Sequence, residues 1–440
     1  MISSGFSKLS KEKKIDLLVG KYFENDSKKM RELIESFWHE DGLQQKQFDE
    51  FSENTLTNFY FPYGVVPSFK LNGNDYCVPM VIEESSVVAA ASRSAKFWES
   101  RGGFHAEIID TKKVGQIHFI WKGDKNKLQK FFDTHKKELV ESVKPVTENM
   151  EKRGGGLVDL DLVDKSFEED NYYQIMATFN TCDAMGANFI NTVLEALAKK
   201  WEELICADSS FVGDEKEVLI IMSILSNYTP ECLVRTWVEC DIDELRDPKL
   251  EMGPELFAKK VELAVRVAEL DVYRATTHNK GIFNGIDAVV LATGNDFRAV
   301  EACGHAYAAR DGKYKSLTKV EIRDNKFRFS LEIPLSLGTV GGLTRLHPLA
   351  KMSIELLNNP SSSDLMMITA AVGLAQNFGA LRSLVTSGIQ KGHMKMHLLN
   401  ILNHFQASDD EKKKAIGFFK EKTVSFKAVQ DFLHEQRDYH

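Results

Sequence analysis

The pattern of apolar and polar positions divides the chain into elements of two periods. Lys11–Tyr22 places Ile15, Leu17, Leu18 and Tyr22 on what reads as one side, which predicts a helix inside a polar N-terminal stretch reaching about residue 52. Tyr76-Cys77-Val78-Pro79-Met80-Val81-Ile82 reads as a strand, and Ser86–Trp98 as a helix with a serine at its start. His118-Phe119-Ile120-Trp121 and Tyr173–Phe179 read as further strands. Asn188–Ile205 is the clearest amphipathic helix, with Ile190, Val193, Leu194, Leu197, Trp201, Leu204 and Ile205 on one stripe. Ala288-Val289-Val290-Leu291-Ala292 is unbroken by polar residues and reads as a buried strand. Ser408 and Glu411 have the spacing of a capping box and predict a helix start.

Texture changes along the chain suggest how these elements group. Residues 53–104 are dense in Gly, Pro and apolar side chains, and 227–388 resume that character. One larger domain, 1–110 with 227–388, is therefore expected to be interrupted by a smaller insert, 111–226. A charged, short-helical segment, 389–440, follows. The expected class is α+β, with a mixed α/β large domain.

Composition narrows the class of function. With 440 residues, 43% of them hydrophobic and 27% charged, the chain is expected to be a soluble globular protein of two or three domains. A net charge of −8 argues against nucleic acid as a partner, although a local basic patch would still suit a phosphorylated small molecule. No run approaches the roughly 18 to 20 apolar residues of a membrane span; Met366–Ala375 is too short and holds Thr369 and Gly373. No apolar signal core follows Met1, so a cytoplasmic protein without membrane attachment is expected. Six scattered cysteines with no CxxC pair read as reduced, packed thiols, Cys303 included.

The candidate chemistry lies in a few polar clusters. His278-Asn279-Lys280-Gly281 and Gly294-Asn295-Asp296-Phe297-Arg298 are glycine-bordered and flank the apolar run, with Arg274 and Asn284 nearby. A lysine and an aspartate on such corners would act on a developing oxyanion, or else form a structural ion pair. Glu83-Glu84 joins the strand at 76–82 to the Ala-rich helix, where acids also favour a helix N-terminus. Asp183-Ala184-Met185-Gly186-Ala187-Asn188 opens the amphipathic helix without a GxGxxG fingerprint. Its small residues would admit a phosphate to backbone N–H groups, or Asp183 would cap the helix. His393 and His397 are spaced i, i+4 but lack further ligands, so no metal is expected. Gly388 and Gly392 would let a moving segment deliver His393.

Taken together, Glu53-Asn54, Leu71-Asn72-Gly73, Val78–Glu84, Asp183–Asn188, Tyr273–Gly281, Ala292–Glu301, Val340-Gly341-Gly342, Gly373–Asn377 and Gly388–His393 resemble class II, soluble bacterial-type 3-hydroxy-3-methylglutaryl-CoA reductase. The resemblance implies a large acyl-CoA-binding domain, an inserted ferredoxin-like cofactor domain and a C-terminal helical flap. It implies a homodimer, or an assembly of dimers, with active sites at the interface. It also implies four-electron reduction of hydroxymethylglutaryl-CoA to mevalonate and CoA with two reduced nicotinamide cofactors. The same enzyme run in the oxidative, mevalonate-degrading direction is an alternative, as is a non-catalytic acyl-CoA-binding protein of the same fold.

Residue by residue, the resemblance assigns catalysis to Glu84, Lys280, Asp296 and His393. Lys280 would stabilise the oxyanion, Asp296 would bridge Lys280 and Glu84, and Glu84 would act as general acid. His393 would protonate the departing CoA thiolate. Ser86, Arg274 and Asn284 match substrate positions, and Asp183, Met185, Gly186, Asn188 and Asn227 match the cofactor side. Two departures stand out. Glu83-Glu84-Ser85 replaces the family's Glu-Glu-Pro, and Thr147 stands where NADH-using relatives carry an aspartate. With Lys144, Lys152 and Arg153 near Thr147 in sequence, NADPH is favoured over NADH.

Overall fold

A computed structural model describes residues 5–248, 252–386, 388, 398–420 and 422–438. The chain forms two compact units, Met1–Pro62 and Tyr63–His440. The first holds helices α1 (Lys11–Tyr22), α2 (Ser27–Glu35) and α3 (Gly42–Asp49). Helix α1 buries Ile15 and Val19, while Leu17 and Tyr22 are exposed. Residues four apart share a helical face and residues two apart do not, so the buried side differs from the one expected.

The second unit opens on a hairpin of β1 (Tyr63–Leu71) and β2 (Asn74–Val81). Its turn residues Asn72 and Gly73 sit at φ 49° and 82°, the positive values that a two-residue I′ turn requires. After β2 the chain turns at Glu83–Ser86 into α4 (Val87–Glu99). β3 (His105–Ile108) then leads to β4 (Lys113–Trp121), α5 (Lys125–Ser142), α6 (Lys144–Glu151), β5 (Gly156–Asp164), β6 (Tyr172–Asn180), α7 (Ala187–Ala207) and β7 (Val218–Leu225). Strands β4 to β7 form an antiparallel sheet of order β5-β6-β4-β7. Alternation along β4 buries Ile117, Phe119 and Trp121, which share a core with Phe131 and Phe132 of α5 and Val193, Leu197 and Trp201 of α7.

The remaining elements are β8 (Leu233–Asp241), α8 (Pro254–Leu270), α9 (Val272–Ala292), α10 (Phe297–Ala308), β9 (Thr318–Arg323), β10 (Lys326–Pro334), α11 (Leu343–Leu346), α12 (Pro348–Leu356) and α13 (Ser362–Val385). β3, β8, β10 and β9 make a second antiparallel sheet in that order. Its core includes Trp98, Phe257, Phe329 and Phe378, whose rings meet at centroid distances of 5.1 to 6.3 Å. The class is mixed α and β, and every pairing between the named strands is antiparallel. The helices Asp409–Phe418 and Phe426–Asp438 share a separate small core with Leu398, Ile401 and Leu402. Ser408 and Glu411 form the expected capping box there.

Two expectations need correction. Ala288–Ala292 is the end of the 21-residue helix α9, not a strand. An apolar run without period does not distinguish a buried strand from a helix buried on all sides, and α9 buries Ala288, Val289 and Val290 together. Likewise α13 runs 24 residues and is long and apolar enough to cross a membrane by length and composition. Every residue from Ile368 to Phe378 is instead buried inside the fold, so α13 is its core helix.

Candidate active site

Helix α9 carries the side chains that matter, and its neighbours fix it rigidly. Asn279 donates from Nδ2 to Lys315 O at 2.8 Å and accepts from Leu317 N at 3.1 Å. Asn377 of α13 donates to His278 O at 3.1 Å. His278 Nε2 meets Thr318 Oγ1 at 2.6 Å, and burial, then the charge of Arg274, pushes its imidazole down to about 3. His278 is therefore a neutral packing group, and this frame leaves Lys280 as the polar group pointing outward.

Lys280 Nζ donates to Glu84 Oε2 at 2.6 Å. The two residues flank a cavity of ≈ 260 Å³ that Ser86, Arg274, Asn284 and Gln376 also line. Five of the expected residues thus meet in one place. Ser86 is held at φ 79°, the left-handed region, just before α4. Arg274 is half-buried without a carboxylate partner among the described residues, and burial lowers its pKa. The buried Gln376 Oε1 also has no partner there. A cation and an amide so placed suit an anionic, oxygen-rich ligand. The Lys280 side chain is 59% exposed and that of Glu84 38%, so a single copy leaves the pair open to water.

A wider cleft of ≈ 660 Å³ lies at the other end of α9, between Ala184–Phe189, Gly294–Arg298 and Gly338–Thr344. Met185, Gly186 and Asn188 line it, as does Asp296. Asp296 begins α10, accepting from Arg298 N at 3.0 Å and Ala299 N at 3.3 Å, and pairs with Arg298 Nε at 3.1 Å. Burial alone would raise its carboxyl, but these bonds outweigh burial and hold it low. Asp296 does not bridge Lys280 and Glu84 within one chain. The 12 residues from Lys280 to the end of α9 span about 18 Å.

The loop before α7 corrects the capping alternative. Gly186, at φ 95°, is the N-cap, and no side chain caps the helix. Asp183 instead accepts from Ser362 N, at the start of α13, at 2.7 Å. Across the cleft Asn295 clamps Gly338 by two bonds, of 2.9 and 3.0 Å. A Cβ at Gly338 would stand 2.5 Å from Met185 N, so only glycine allows this approach. Asn227 lines a narrow recess beside Met185. Thr147 is buried on α6, bonded to Glu151, and is not part of either cleft's lining. His393 lies outside the described residues.

Some residues that the fold places near the clefts carry no sequence signal. Lys113 is buried beneath the 183–186 loop. Asp287, one face-repeat beyond Lys280 on α9, lies within hydrogen-bonding reach of Glu301. Gln376 fell inside a quoted motif, but only the fold turns it into the cavity.

Comparison with known proteins gives a consistent picture. Residues 21–398 match the family model described as hydroxymethylglutaryl-coenzyme A reductase. The chain is 36% identical over 378 residues to 3-hydroxy-3-methylglutaryl-coenzyme A reductase of Archaeoglobus fulgidus, covering 85% of this chain and 82% of that protein. It is 34% identical over 397 residues to the probable reductase of Borreliella burgdorferi, covering 88% of each. A solved structure of the class II reductase of Streptococcus pneumoniae, bound to NADPH in open conformations, superposes with a TM-score of 0.70 at 36% identity. That match covers 87% of this chain and 100% of the other.

Proposed function

The chain belongs to the hydroxymethylglutaryl-coenzyme A reductase family, and from that premise we propose how its two clefts divide one reaction. It is an oxidoreductase, and its expected reaction is the mevalonate-pathway reduction of hydroxymethylglutaryl-CoA. We assign the 260 Å³ cavity to the acyl group and the 660 Å³ cleft to the nicotinamide cofactor. The observation that carries this is the 2.6 Å contact of Lys280 with Glu84 beside Arg274, which has no carboxylate partner among the described residues. Arg274 holds the acyl carboxylate, and Ser86 and Asn284 orient the rest. Lys280 faces the thioester oxygen, where its ammonium stabilises negative charge as the carbonyl is attacked. Glu84, hydrogen-bonded to Lys280, passes a proton to that oxygen.

The residues of the wider cleft suit a dinucleotide. The uncapped start of the 21-residue helix α7 presents N–H groups and the positive end of its dipole to an anion. Gly338 keeps the facing wall close without a side chain. When bound, the reduced nicotinamide supplies hydride. NADPH is the favoured form, because Lys144 and Lys152 are paired with Glu141 and Glu148 whereas the exposed Arg153 lacks a carboxylate partner among the described residues and is available to a 2′-phosphate. Arg153 O accepts from Cys182, next to the cofactor loop. The β-α-β-β-α-β succession from β4 to β7 supports reading 111–226 as a ferredoxin-like cofactor domain. In the same reading 227–388 and the chain before residue 110 bind the acyl-CoA, and 389–440 close over the site and bring His393 to the thiolate.

A second copy completes the site in this reading. Hydride passes over a few ångströms, and one chain separates the two clefts by most of α9. Leu263, Val267, Leu270, Val272 and Tyr273 are exposed beside the Lys280 end, and Leu343, Leu346, Leu349 and Met352 beside the other. Exposed apolar groups in such concentration mark an interface. A dimer that joins the two ends brings Asp296 of one copy to Lys280 of the other. The test is absorbance at 340 nm with hydroxymethylglutaryl-CoA and each reduced nicotinamide in turn. Oxidation of the cofactor that depends on hydroxymethylglutaryl-CoA is expected, faster with NADPH. No oxidation with either cofactor would remove the proposal.

A further inference from the structure

Lys113 begins β4 and is 4% exposed. Its three ammonium protons all have acceptors: Thr181 Oγ1 at 2.6 Å, Ala184 O at 2.8 Å and Met185 O at 3.0 Å. Thr181 passes the bond on, donating to Ala184 O at 2.6 Å. Every one of these acceptors is a neutral oxygen. The thiols of Cys232 and Cys182 act on it, and burial pushes Cys232 up to about 11, so it supplies no anion. A cation buried among neutral partners alone is costly, and burial lowers the Lys113 pKa accordingly. A methionine or leucine of similar length would fill the same space without that cost.

The arrangement does something an apolar residue does not. Peptide planarity sets each N–H opposite its C=O. With the carbonyls of Ala184 and Met185 turned down onto Lys113, the peptide N–H groups of Met185 and Gly186 turn the other way. On that other side stand Gly338 and the cleft, where a Cβ at 338 would meet Met185 N at 2.5 Å. Gly186 is itself packed on Thr181, where a Cβ would stand 2.4 Å from Cγ2, so the turn is locked from beneath at both ends.

We propose that Lys113 is a positioning residue for the nicotinamide cofactor: its three hydrogen bonds fix the 184–186 turn from beneath, so that the N–H groups of Met185 and Gly186 face the site of an anionic dinucleotide. This rests on reading the 660 Å³ cleft as the cofactor's. Lys113 is buried beneath the loop, so its effect passes through the loop.

Three proteins test it: the full-length parent, Lys113→Met and Lys113→Gln. NADPH and NADH are titrated by cofactor fluorescence, and KM is measured separately for the reduced cofactor and for hydroxymethylglutaryl-CoA. Lys113→Met is expected to weaken NADPH binding by about tenfold or more while the acyl-CoA KM stays within about twofold. Lys113→Gln, which restores donors but no charge, should recover part of the affinity. A folded Lys113→Met with parental cofactor affinity, or with both KM values raised equally, overturns the inference. If Lys113→Met does not accumulate as folded protein, Lys113→Gln carries the test with the same comparison of the two KM values. A parent protein that binds neither reduced nicotinamide overturns the reading of the cleft itself, and this inference with it.

Discussion

Replacing Asp287 by asparagine tests whether an acid beside the lysine pocket is held protonated. Asp287 follows Lys280 by seven residues on α9, about 10 Å along the same face. Its Oδ1 is buried without a partner among the described residues. Burial, then the charge of Glu301, raises its carboxyl from 3.8 to about 8, with Glu83 adding to the rise and Lys280 opposing it. Between those values the folded chain holds a proton that the unfolded chain has released. The associated stability is complete below about pH 4 and declines as the pH rises toward 8. At about 1.4 kcal/mol per pH unit the ceiling is about 6 kcal/mol, and relaxation and water entry at an effective dielectric of about 20 leave about 2–3 kcal/mol.

Asparagine keeps the shape of the protonated acid, donates to Glu301 and has no proton to lose. Asp287→Asn is therefore expected to melt higher than the parent, with a gain near zero at about pH 4.5 and about 3 °C or more at pH 8. Scanning fluorimetry across that range reads the difference directly, since buffer effects cancel between the two proteins. A gain of the same size at both ends of the range would show that packing, not protonation, separates them. A parent more stable than the variant at pH 8 would refute the reasoning outright.

The other predictions address the two clefts. Lys280→Ala should lower kcat by at least about a thousandfold while calorimetry finds acyl-CoA binding within a few-fold of the parent; retained turnover removes its proposed role. Gly338→Ala puts a methyl 2.5 Å from Met185 N and 3.1 Å from Ala184 C, backbone atoms that no rotamer change relieves. Its cofactor affinity should fall by about tenfold and its melting temperature by a few degrees, and parental values for both count against the close approach. Arg153→Ala should raise the KM for NADPH by about tenfold and leave that for NADH within about twofold. An equal change in both would separate Arg153 from the 2′-phosphate.

What the sequence made legible was set by how local the cause was. The amphipathic stripe of α7 and the Ser408–Glu411 box each depend on residues within one helix, and each was found where expected. Lys280 and Glu84 are 196 residues apart and meet at 2.6 Å, a pairing that only the family resemblance suggested. Asp183 looked like a local cap because its partner, Ser362, lies 179 residues away. Lys113 left no trace, since a lysine at a strand start is ordinarily solvated and only the folded loop closes over it. Spacing misled in one place. Lys280 and Asp296 are close in sequence, and reading a short strand between them placed them on neighbouring corners, whereas a helix holds them at a fixed distance.

That distance has consequences of its own. A strand between two glycine-bordered corners could fold back and let a lysine and an aspartate touch. A 21-residue helix clamped by Asn279 and Asn377 and buried against α13 cannot shorten. Bringing Asp296 to Lys280 in one chain would require breaking α9 within its most buried stretch, Ile282 to Val290, and losing that packing. In the proposed dimer, two copies arranged antiparallel along α9 would meet the same chemical demand without breaking anything. They would place each lysine beside the other copy's aspartate and cover the Lys280 side chain, 59% exposed in one copy, together with the exposed apolar groups at both ends of the helix. The rigidity that keeps the half-sites apart in one copy would then give the two-copy site a fixed geometry, because the span of α9 sets the separation of both half-sites at once.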